Sequence, residues 1–322
     1  MSPTVTVVIP TCNRASLVTT AIESALRQTL RDIEVFVVDD CSDDETRAAV
    51  SALLRDPRLR YIRHDTRRGA PAARNEAIRK SSGEFVAFLD DDDEWRPKKL
   101  EAQVEVFRRG GPDVGVVYSS YEVVDRKTGH VVGRKVAEKR GELARDLLER
   151  NVVGSSSCVV VRRTALEAAG LWDERLPSFQ DYDLWIRLSR VVRFDFVAED
   201  LLRYSVHQKQ IWKDLGALDQ GIDVLLGKHG ASRALRANLS GQSLGVGVQY
   251  FSRGESGPGR RAIRRAIRLA PWSPRPYLNL FLSFLGPAAF RRAHQARKKL
   301  GTPGMRSAPR ESKSSTAPEE VR

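Results

Sequence analysis

Apolar and polar residues alternate with two different periods along the first 120 residues. Short, nearly continuous apolar runs are typical of strands buried on both faces, whereas apolar residues three or four positions apart are typical of helices. Strands and helices in strict alternation predict βαβ units, and therefore a mainly parallel sheet with helices on both faces. The predicted strands are 4–10, 33–40, 58–64 and 84–90, and the predicted helices are 15–29, 43–54 and 70–80.

The pattern becomes less regular in the middle of the chain. Residues 114–125 predict another strand, and the charged residues 126–150 predict an excursion or a hairpin. Beyond them we expect a strand at 156–163, a short helix ended by Gly170, a helix at 181–190 and a strand-like segment at 193–207.

From about residue 210 the chain is helical and basic. Residues 260–286 predict two helices separated by Pro271 and Pro274, because proline inside a helix removes a hydrogen bond and clashes with the preceding turn. The Ser-, Pro- and Lys-rich sequence after Gly301 indicates disorder. We therefore divide the chain into an α/β domain, a basic helical region and a tail, at residues 1–209, 210–300 and 301–322.

The net charge of +13 is concentrated in the C-terminal third. Residues 228–322 contain 19 Lys and Arg against 4 Asp and Glu, a net of +15, which leaves −2 of the total for residues 1–227. The arginine-rich stretch 260–268 favours either an amphipathic helix on an anionic membrane surface or a helix packed on the α/β domain. No base-stacking aromatic pattern accompanies the charge, so we expect no nucleic-acid partner.

Cysteines and apolar runs narrow the class of protein. The three cysteines, Cys12, Cys41 and Cys158, include no close pair, which argues against a zinc site or a disulfide framework and favours buried apolar residues. The N-terminus lacks the pattern of a signal peptide, and the longest apolar stretch, 277–290, is too short for a membrane-spanning helix. We expect a cytoplasmic protein that could lie peripherally on the inner face of the cell membrane.

Four consecutive aspartates, Asp90 to Asp93, end the fourth predicted strand. Carboxylates this close repel one another, so the run is either a solvated turn or a site for something positive. In parallel sheets ligands bind beyond the carboxyl ends of the strands, where "PTCNR", "DDCSDD" and "DDDD" would converge. The spacing Asp90-x-Asp92 suits a divalent cation that also binds the oxygens of a nucleotide diphosphate.

Four segments closely resemble the family 2 glycosyltransferases, which have the GT-A fold: "VVIPTCNR", "VDDCSDDET", "ARNEAI…SGEFVAFLDDDDEWRPKKL" and "QDYDLWIRL". They occur in the family's order and spacing, and the resemblance covers roughly residues 4–207. It implies a Rossmann-like GT-A sheet, to which this chain adds a C-terminal helical extension. It also implies inverting transfer of a sugar from a nucleotide-diphosphate sugar with the help of Mn²⁺ or Mg²⁺.

The resemblance also implies roles for individual residues. Asp181 would be the catalytic base that deprotonates the acceptor hydroxyl, Asp92 would be a metal ligand, and His207 would be a second one. The other implied residues bind the substrate. Against the nucleoside would lie Pro10, Thr11 and Asn13. The base or ribose would be bound by Asp39 and Asp40, and the ribose and diphosphate would lie near Asp90 and Asp91.

Two positions depart from the family's pattern. Cys12 stands where relatives often have a tyrosine near the base, which leaves the donor nucleotide open. Gln180 stands where an acidic residue commonly precedes the base, so Asp181 should experience less like-charge repulsion.

Plain structural roles remain as alternatives for several residues. Asp39 and Asp40 could form a helix-capping turn, Asp181 could be an ordinary first-turn acid, and His207 could be a surface residue. Solvated charges are expected at Arg67, Arg68 and Arg74, and core or pocket-wall positions at Trp95, Trp172 and Trp185.

Two other classes of protein compete with a glycosyltransferase. A nucleotidyltransferase that makes nucleotide sugars would need a glycine-rich loop after the first strand, and "PTCNRA" has no glycine. A non-catalytic nucleotide-sugar-binding protein would not need Asp92 and Asp181. The QxxRW motif of processive synthases is absent, so we expect one sugar to be added per acceptor. The expected acceptor is a hydroxyl or lipid phosphate in cell-surface glycan, polysaccharide or glycoprotein synthesis.

Overall fold

The computed structural model describes residues 3–207, 214–286 and 290. Within them the chain forms one nine-stranded sheet. The order of its strands is β3 Leu59–Arg63, β2 Ile33–Asp39, β1 Val5–Thr11, β4 Phe85–Phe88, β8 Val159–Arg162, β6 Val114–Asp125, β9 Arg193–Val206 and β5 Glu94–Trp95, with β7 Val131–Lys135 paired to β6. The tail predicted as disordered, 301–322, lies outside the described residues.

The first half of the sheet is parallel, as predicted. Its strands are β1 Val5–Thr11, β2 Ile33–Asp39, β3 Leu59–Arg63 and β4 Phe85–Phe88. The helices that connect them are α1 Ala15–Leu26, α2 Thr46–Ser51 and α3 Ala70–Lys80. Every residue of β1 and β2 is buried, because helices cover both faces of the sheet. The carboxyl ends of β1, β2 and β4 therefore meet at one edge.

The second half of the sheet is mixed. Strand β8 Val159–Arg162 is antiparallel to both β4 and β6 Val114–Asp125, whereas β9 Arg193–Val206 is parallel to β6. The charged excursion is a hairpin between β6 and β7 Val131–Lys135, followed by a short helix, α5 Ala144–Glu149. Next to β8 are a 3-10 turn at Ser156–Cys158, α6 Arg163–Ala169 and α7 Gln180–Leu188.

Some predicted helix boundaries were wrong, and one helix was not predicted. The first helix ends at Leu26, three residues earlier than predicted. The second helix begins at Thr46 and not at residue 43, because residues 42–44 form hydrogen bonds with the segment that follows β1. The two-residue strand β5 Glu94–Trp95 and helix α4 Lys99–Gly110 were not predicted. The signal for α4 was present: Leu100, Val104 and Phe107 have helical spacing and are buried.

The C-terminal part is helical, as predicted, with α8 Leu215–His229, α9 Arg233–Ser252, α10 Ser256–Leu269 and α11 Pro274–Phe284. Pro271 lies between α10 and α11, and Pro274 is the first residue of α11. Ile222 and Leu225 of α8 and Leu235 and Leu239 of α9 belong to the same hydrophobic core as the sheet. In the described part of the chain, no helix combines the length and apolar character needed to cross a membrane.

The tryptophans predicted as core or pocket wall are at most 3% exposed. The prediction for the cysteines holds for Cys158, which is buried, but is wrong for Cys12 and Cys41, which are partly exposed. Both occupy loops at the carboxyl ends of strands, where the sheet is no longer covered.

Candidate active site

A cavity of about 540 Å³ opens at the edge where β1, β2 and β4 end. Helix α7 and the loops around β6 and β8 border its other sides. Of the residues predicted from the sequence, seven line it: Pro10, Thr11, Asp40, Asp90, Asp91, Asp92 and Asp181. Asn13, Asp39 and His207 are not part of the lining, although His207 contacts Asp92. The sheet therefore brings carboxylates that are up to 141 positions apart into one cavity.

The aspartate run forms a turn in which the four carboxylates have different surroundings. Asp90 accepts a hydrogen bond of 2.6 Å from Nη2 of Arg74 and a longer one from the hydroxyl of Ser156. Arg74 is buried, its guanidinium stacks 4.4 Å from the ring of Trp172, and its Nε has no hydrogen-bond partner among the described residues. The arginine predicted to be a solvated charge is thus a buried wall of the cavity.

Asp91 is nearly buried and is held by the end of β1. Its carboxylate accepts a 2.7 Å hydrogen bond from Oγ1 of Thr11 and a 3.3 Å bond from Nη1 of Arg14. Burial raises the pKa of Asp91 to about 7, although the Arg14 charge opposes the rise. Thr11 therefore faces the aspartate run and, in this arrangement, orients a carboxylate.

Asp92 lies between two cationic or basic groups. Its Oδ2 is 2.6 Å from Nη1 of Arg14 and 2.6 Å from Nε2 of His207, which follows β9. Nη1 of Arg14 is also 3.5 Å from that histidine nitrogen. The positive groups beside the aspartate run therefore include, in this structure, the guanidiniums of Arg14 and Arg74.

The residues suit a divalent cation shared with a diphosphate better than an ion held by protein alone. Among the described residues, no group of three His, Cys, Asp or Glu side chains is arranged to hold a metal ion. Asp92 and His207 do place one carboxylate oxygen and one imidazole nitrogen side by side. Mg²⁺ in particular is commonly held by one or two protein groups, with phosphate oxygens and water completing its shell.

Asp93, the last of the run, faces inward. One of its oxygens accepts a hydrogen bond from the backbone N–H of Ser205, and the other is buried without a partner among the described residues. Burial, together with the charges of Asp92 and Asp90, raises its pKa well above the ordinary range. This shift favours the neutral form of Asp93, in which it would add no negative charge to the run.

Asp39 and Asp40 hold loops together. Asp39 is fully buried and accepts hydrogen bonds from the Ser42 N–H, Tyr61 and Arg63. It therefore shapes the turn after β2, and within the described structure it is separated from the cavity.

Asp40 does line the cavity, but its oxygens already accept hydrogen bonds from His64 and from the backbone N–H groups of Arg68 and Gly69. Burial would raise its pKa, yet these hydrogen bonds leave it below its ordinary value. Asp40 thus fixes the loop that leads into α3.

Asn13 joins the loops after β1 and β2. Its backbone is in the left-handed region, with φ of 55°, its N–H donates to Oγ of Ser42, and its Oδ1 accepts from the N–H of Asp43. The side chain is exposed outside the cavity lining. Cys12, one residue earlier, does line the cavity, and burial raises the pKa of its thiol.

Asp181 borders the cavity from the first turn of α7. Burial raises its pKa to about 6; the Asp90 charge raises it further and the Arg74 charge lowers it. Among the described residues, the hydrogen bond found for its carboxylate comes from the neighbouring N–H of Tyr182, at 2.7 Å. Gln180 lines the cavity beside it and donates to the carbonyl of Leu176. The departure at position 180 therefore adds no charge next to the base candidate.

Helix α8 supports this side of the cavity. Leu218 lines the cavity, and Oγ of Ser178 donates to the carbonyl of Ala217. A Cβ on Gly221 would lie 2.2 Å from that hydroxyl oxygen, so only glycine allows α8 to approach the loop before Asp181 this closely. That loop contains Phe179, whose φ of 57° is left-handed.

A buried ionic cluster ties α7 to α8. Asp183, which is fully buried, accepts hydrogen bonds from Arg187 of its own helix and from Lys228 and His229 at the end of α8. Burial would raise the pKa of Asp183, but His229, Arg187 and Lys228 hold it below its ordinary value. This cluster was not predicted, because Lys228 and His229 lie more than 40 positions after Asp183 in the sequence.

The contacts of Arg14 and Arg74 with the aspartate run were not predicted either. Arg14 is in the quoted segment "VVIPTCNR", and Arg74 is in "ARNEAI". Both segments belong to the motifs quoted above, so their position in a motif was the one signal in the sequence that these arginines could contribute to the site. Only the three-dimensional structure distinguishes these two arginines from the many solvated ones.

A mostly parallel sheet with helices around it and the motif aspartates at one edge is the arrangement that the resemblance to family 2 glycosyltransferases implied. The model of the family described as "Glycosyl transferase family 2" matches residues 6–170. The chain belongs to this family, as its motifs predicted.

Relatives and a solved structure agree with this assignment. An "Uncharacterized glycosyltransferase" of Rickettsia bellii is 31% identical over 228 residues, which are 69% of this chain and 33% of the relative. The chain thus spans about a third of that relative's length. The "UDP-Glc:alpha-D-GlcNAc-diphosphoundecaprenol beta-1,3-glucosyltransferase WfgD" of Escherichia coli is 31% identical over 184 residues, 57% of this chain and 69% of WfgD.

Among solved structures, the "Mannosyltransferase PcManGT from Pyrobaculum calidifontis in complex with GDP-Man and Mn2+" has a similar fold. Its TM-score is 0.59 with 21% identity, and the alignment covers 94% of this chain and 82% of PcManGT. This likeness shows that the fold is the predicted mixed α/β GT-A fold with a helical C-terminal part.

Proposed function

We propose that the chain is an inverting, metal-dependent glycosyltransferase that moves one sugar from a nucleotide-diphosphate sugar to an acceptor. The observation that carries the proposal is that Asp181, with a pKa raised to about 6, borders the same cavity as the aspartate run. A carboxylate with such a pKa is ionised at neutral pH and is a stronger base than an ordinary aspartate.

In the proposed reaction the acceptor hydroxyl gives its proton to Asp181. The acceptor oxygen forms a bond to the anomeric carbon from the side opposite the leaving group, which inverts the configuration. The bond to the diphosphate breaks, and the diphosphate leaves with the electron pair. Protein groups that exclude water around Asp181 include Phe179 and Leu218, which line the cavity beside it.

Asp92 and His207 would hold a divalent cation, Mn²⁺ or Mg²⁺, which offsets the negative charge that develops on the leaving diphosphate. The adjacent carboxylate oxygen and imidazole nitrogen support this assignment. That PcManGT was solved with GDP-Man and Mn²⁺ supports both the cation and a nucleotide-sugar donor. Arg14 and Arg74 add positive charge to the same cavity, which suits a diphosphate.

The proposed acceptor is a hydroxyl or a lipid-linked phosphate in cell-surface glycan, polysaccharide or glycoprotein synthesis. The name of WfgD, which specifies a diphosphoundecaprenol-linked substrate, supports a lipid-linked acceptor. We therefore place the enzyme on the cytoplasmic side, peripherally at the membrane.

The test is a screen of UDP and GDP sugars for thermal stabilisation, with and without Mn²⁺. A donor that binds the folded state raises the melting temperature by mass action. The stabilising donor is then incubated with hydroxyl and lipid-phosphate acceptors, and the anomeric configuration of the product is read by NMR. We expect Mn²⁺-dependent stabilisation and a product whose configuration is opposite to that of the donor. Retention of configuration, or no stabilisation by any donor, would contradict the proposal.

A further inference from the structure

Helix α11 has an apolar face that is exposed to solvent. Tyr277, Leu278, Phe281, Phe284 and the following Leu285 are 44 to 64% exposed. With 3.6 residues per turn, they form one stripe about 120° wide. In the described part of the chain, more than half of the exposed large apolar side chains lie between Trp272 and Leu285. Such concentration is unusual, because exposed apolar residues are normally scattered.

The opposite face of α11 is firmly packed. Ser283 is buried and accepts hydrogen bonds from the guanidinium of Arg260 on α10. Leu280 and Leu282 pack on a cluster formed by Phe251, Ile263 and Phe290. The helix is therefore anchored by one face, and its exposed stripe is held in a fixed orientation.

The part of the sequence that contains the stripe is strongly basic. Residues 256–310 contain 13 Lys and Arg and not one Asp or Glu. Arg264 and Arg268 of α10 and Arg275 of α11 are exposed, and the guanidinium of Arg260 lies 4.8 Å from the ring centre of Phe284. The guanidinium of Arg260 thus borders the exposed apolar stripe, and the other three arginines lie exposed on the same pair of helices.

We propose that the exposed stripe of α11 docks the protein on an anionic membrane surface. Aromatic and leucine side chains would enter the boundary between headgroups and acyl chains, while the arginines would contact anionic headgroups. The helix has 11 residues, so it is far too short to span a bilayer and would lie in the plane of the surface.

Charge argues for lipid over two other occupants. A second copy of the chain would bring two basic regions together, and their repulsion would oppose the contact. A nucleic acid would attract the arginines but would leave Leu278 and Leu285 without apolar partners. An anionic membrane satisfies both the charge and the apolar side chains.

The docking itself stands on these surface features, and only its purpose rests on the proposed function. A lipid-linked acceptor diffuses in the membrane plane, so an enzyme held at that plane would encounter it more often. Vesicle binding needs neither donor nor turnover, so it can fail or succeed independently of sugar transfer.

The experiment is co-sedimentation of the full chain with vesicles of phosphatidylcholine, with and without phosphatidylglycerol, at low and high salt. The first variant is the pair Phe281→Ser and Phe284→Ser. The second is the pair Arg264→Gln and Arg268→Gln, whose side chains are exposed. The matched control is Val131→Ser with Val132→Ser, since these valines are 55 and 60% exposed on β7.

We expect the wild type and the valine control to bind anionic vesicles more tightly than neutral ones, and less tightly at high salt. The phenylalanine pair should lower the vesicle partition coefficient about a hundredfold, which is about tenfold for each side chain replaced. The arginine pair should weaken binding to anionic vesicles about tenfold or more and reduce its salt dependence. Sedimentation velocity without vesicles should show the same oligomeric state for all four proteins.

Three results would overturn the proposal. One is wild-type protein that does not bind anionic vesicles, and another is a phenylalanine variant that binds like the valine control. The third is a wild-type dimer that the phenylalanine pair converts to a monomer, which would assign the stripe to contact between copies. Donor-induced thermal stabilisation, measured for every variant, shows that the catalytic site is intact.

Discussion

The aspartate run after β4 and the buried cluster around Asp183 are stabilised in different ways. In the run after β4, Asp91 and Asp92 share the single guanidinium of Arg14, and burial raises the pKa of Asp91 to about 7. On α7, Asp183 is bonded to three basic side chains, and its pKa is lowered. Asp181, two residues away, lacks such partners among the described residues, and its pKa is raised to about 6.

This difference shows that tertiary contacts can shift the pKa values of two aspartates close in sequence in opposite directions. Asp181 and Asp183 are two positions apart in a helix, so their side chains point in different directions. One faces the cavity and the other faces α8. Asp181, which lacks a strong cationic partner among the described residues, can accept a proton near neutral pH. Asp183, which is bonded to three basic side chains, stays ionised and joins α7 to α8.

The largest expected effect is on turnover. Asp181→Asn keeps the shape of the residue but removes the base, so we expect kcat to fall by about 10²–10⁴-fold. Donor affinity, measured by calorimetry, should change little. The control Glu167→Gln replaces an exposed acid on α6 and should leave kcat unchanged. Wild-type turnover by Asp181→Asn would assign the base to another residue.

The next effect is on stability. Asp183→Asn leaves the buried ends of Arg187, Lys228 and His229 without their shared acceptor charge. We expect the free energy of unfolding in urea at pH 7 to fall by about 3 kcal/mol.

The loss should depend on pH. Because the pKa of Asp183 is lowered by folding, its contribution is present above the unfolded pKa near 3.9 and disappears as pH falls through the folded pKa. Asp223→Asn is the matched control, since its pair with Arg265 is 67% exposed on the Asp223 side, and it should cost less than about 1 kcal/mol. Equal losses in the two variants would remove the distinction between the clusters.

A third effect concerns the cation. Asp92→Asn should weaken the Mn²⁺-dependent part of donor binding by at least about tenfold, because it removes the carboxylate beside His207. Calorimetry with and without Mn²⁺ measures it. Asp43→Asn, whose side chain is 81% exposed in the neighbouring loop, is the control. Unchanged Mn²⁺ dependence in Asp92→Asn would contradict the metal assignment.

The smallest effect is a shift in the pH profile. Turnover should fall below about pH 6 as Asp181 becomes protonated. Since the Arg74 charge lowers the pKa of Asp181, Arg74→Gln should move this acidic limb upward by less than about one pH unit. A downward shift would show that Arg74 acts on another group. The residual activity of Asp181→Asn should lack the limb altogether.

Much of the fold could be predicted from local patterns. The strands β1, β2 and β4 are continuous apolar runs between helical segments, so their parallel arrangement followed from periodicity and chain connection. Helix α4 has apolar residues at helical spacing but was overlooked. Strand β5 has only two residues, which is too few for a recognisable pattern. The mixed half of the sheet depends on strand order, which no local sequence pattern specifies.

The candidate site was predictable in its acids and less so in their partners. The sequence placed Asp90, Asp92 and Asp181 in motifs, and the cavity brings all three together. It gave no means of telling which aspartates would already be used within the protein, as Asp39 is by Tyr61 and Arg63. The donors that bond Asp39 at the end of β2 lie on β3, more than 20 positions later in the sequence, so local patterns do not reveal them.

The sequence by itself determined where the acids stand along the chain, because strand ends and motif spacing are local properties. Only the tertiary structure decided which of them are bonded to basic side chains, and in which direction the pKa of each is shifted. The reason is electrostatic: a pKa depends on burial and on charges within a few ångströms. Those neighbours, such as Arg14 for Asp92 and Lys228 for Asp183, come from distant parts of the chain and meet only in the folded protein.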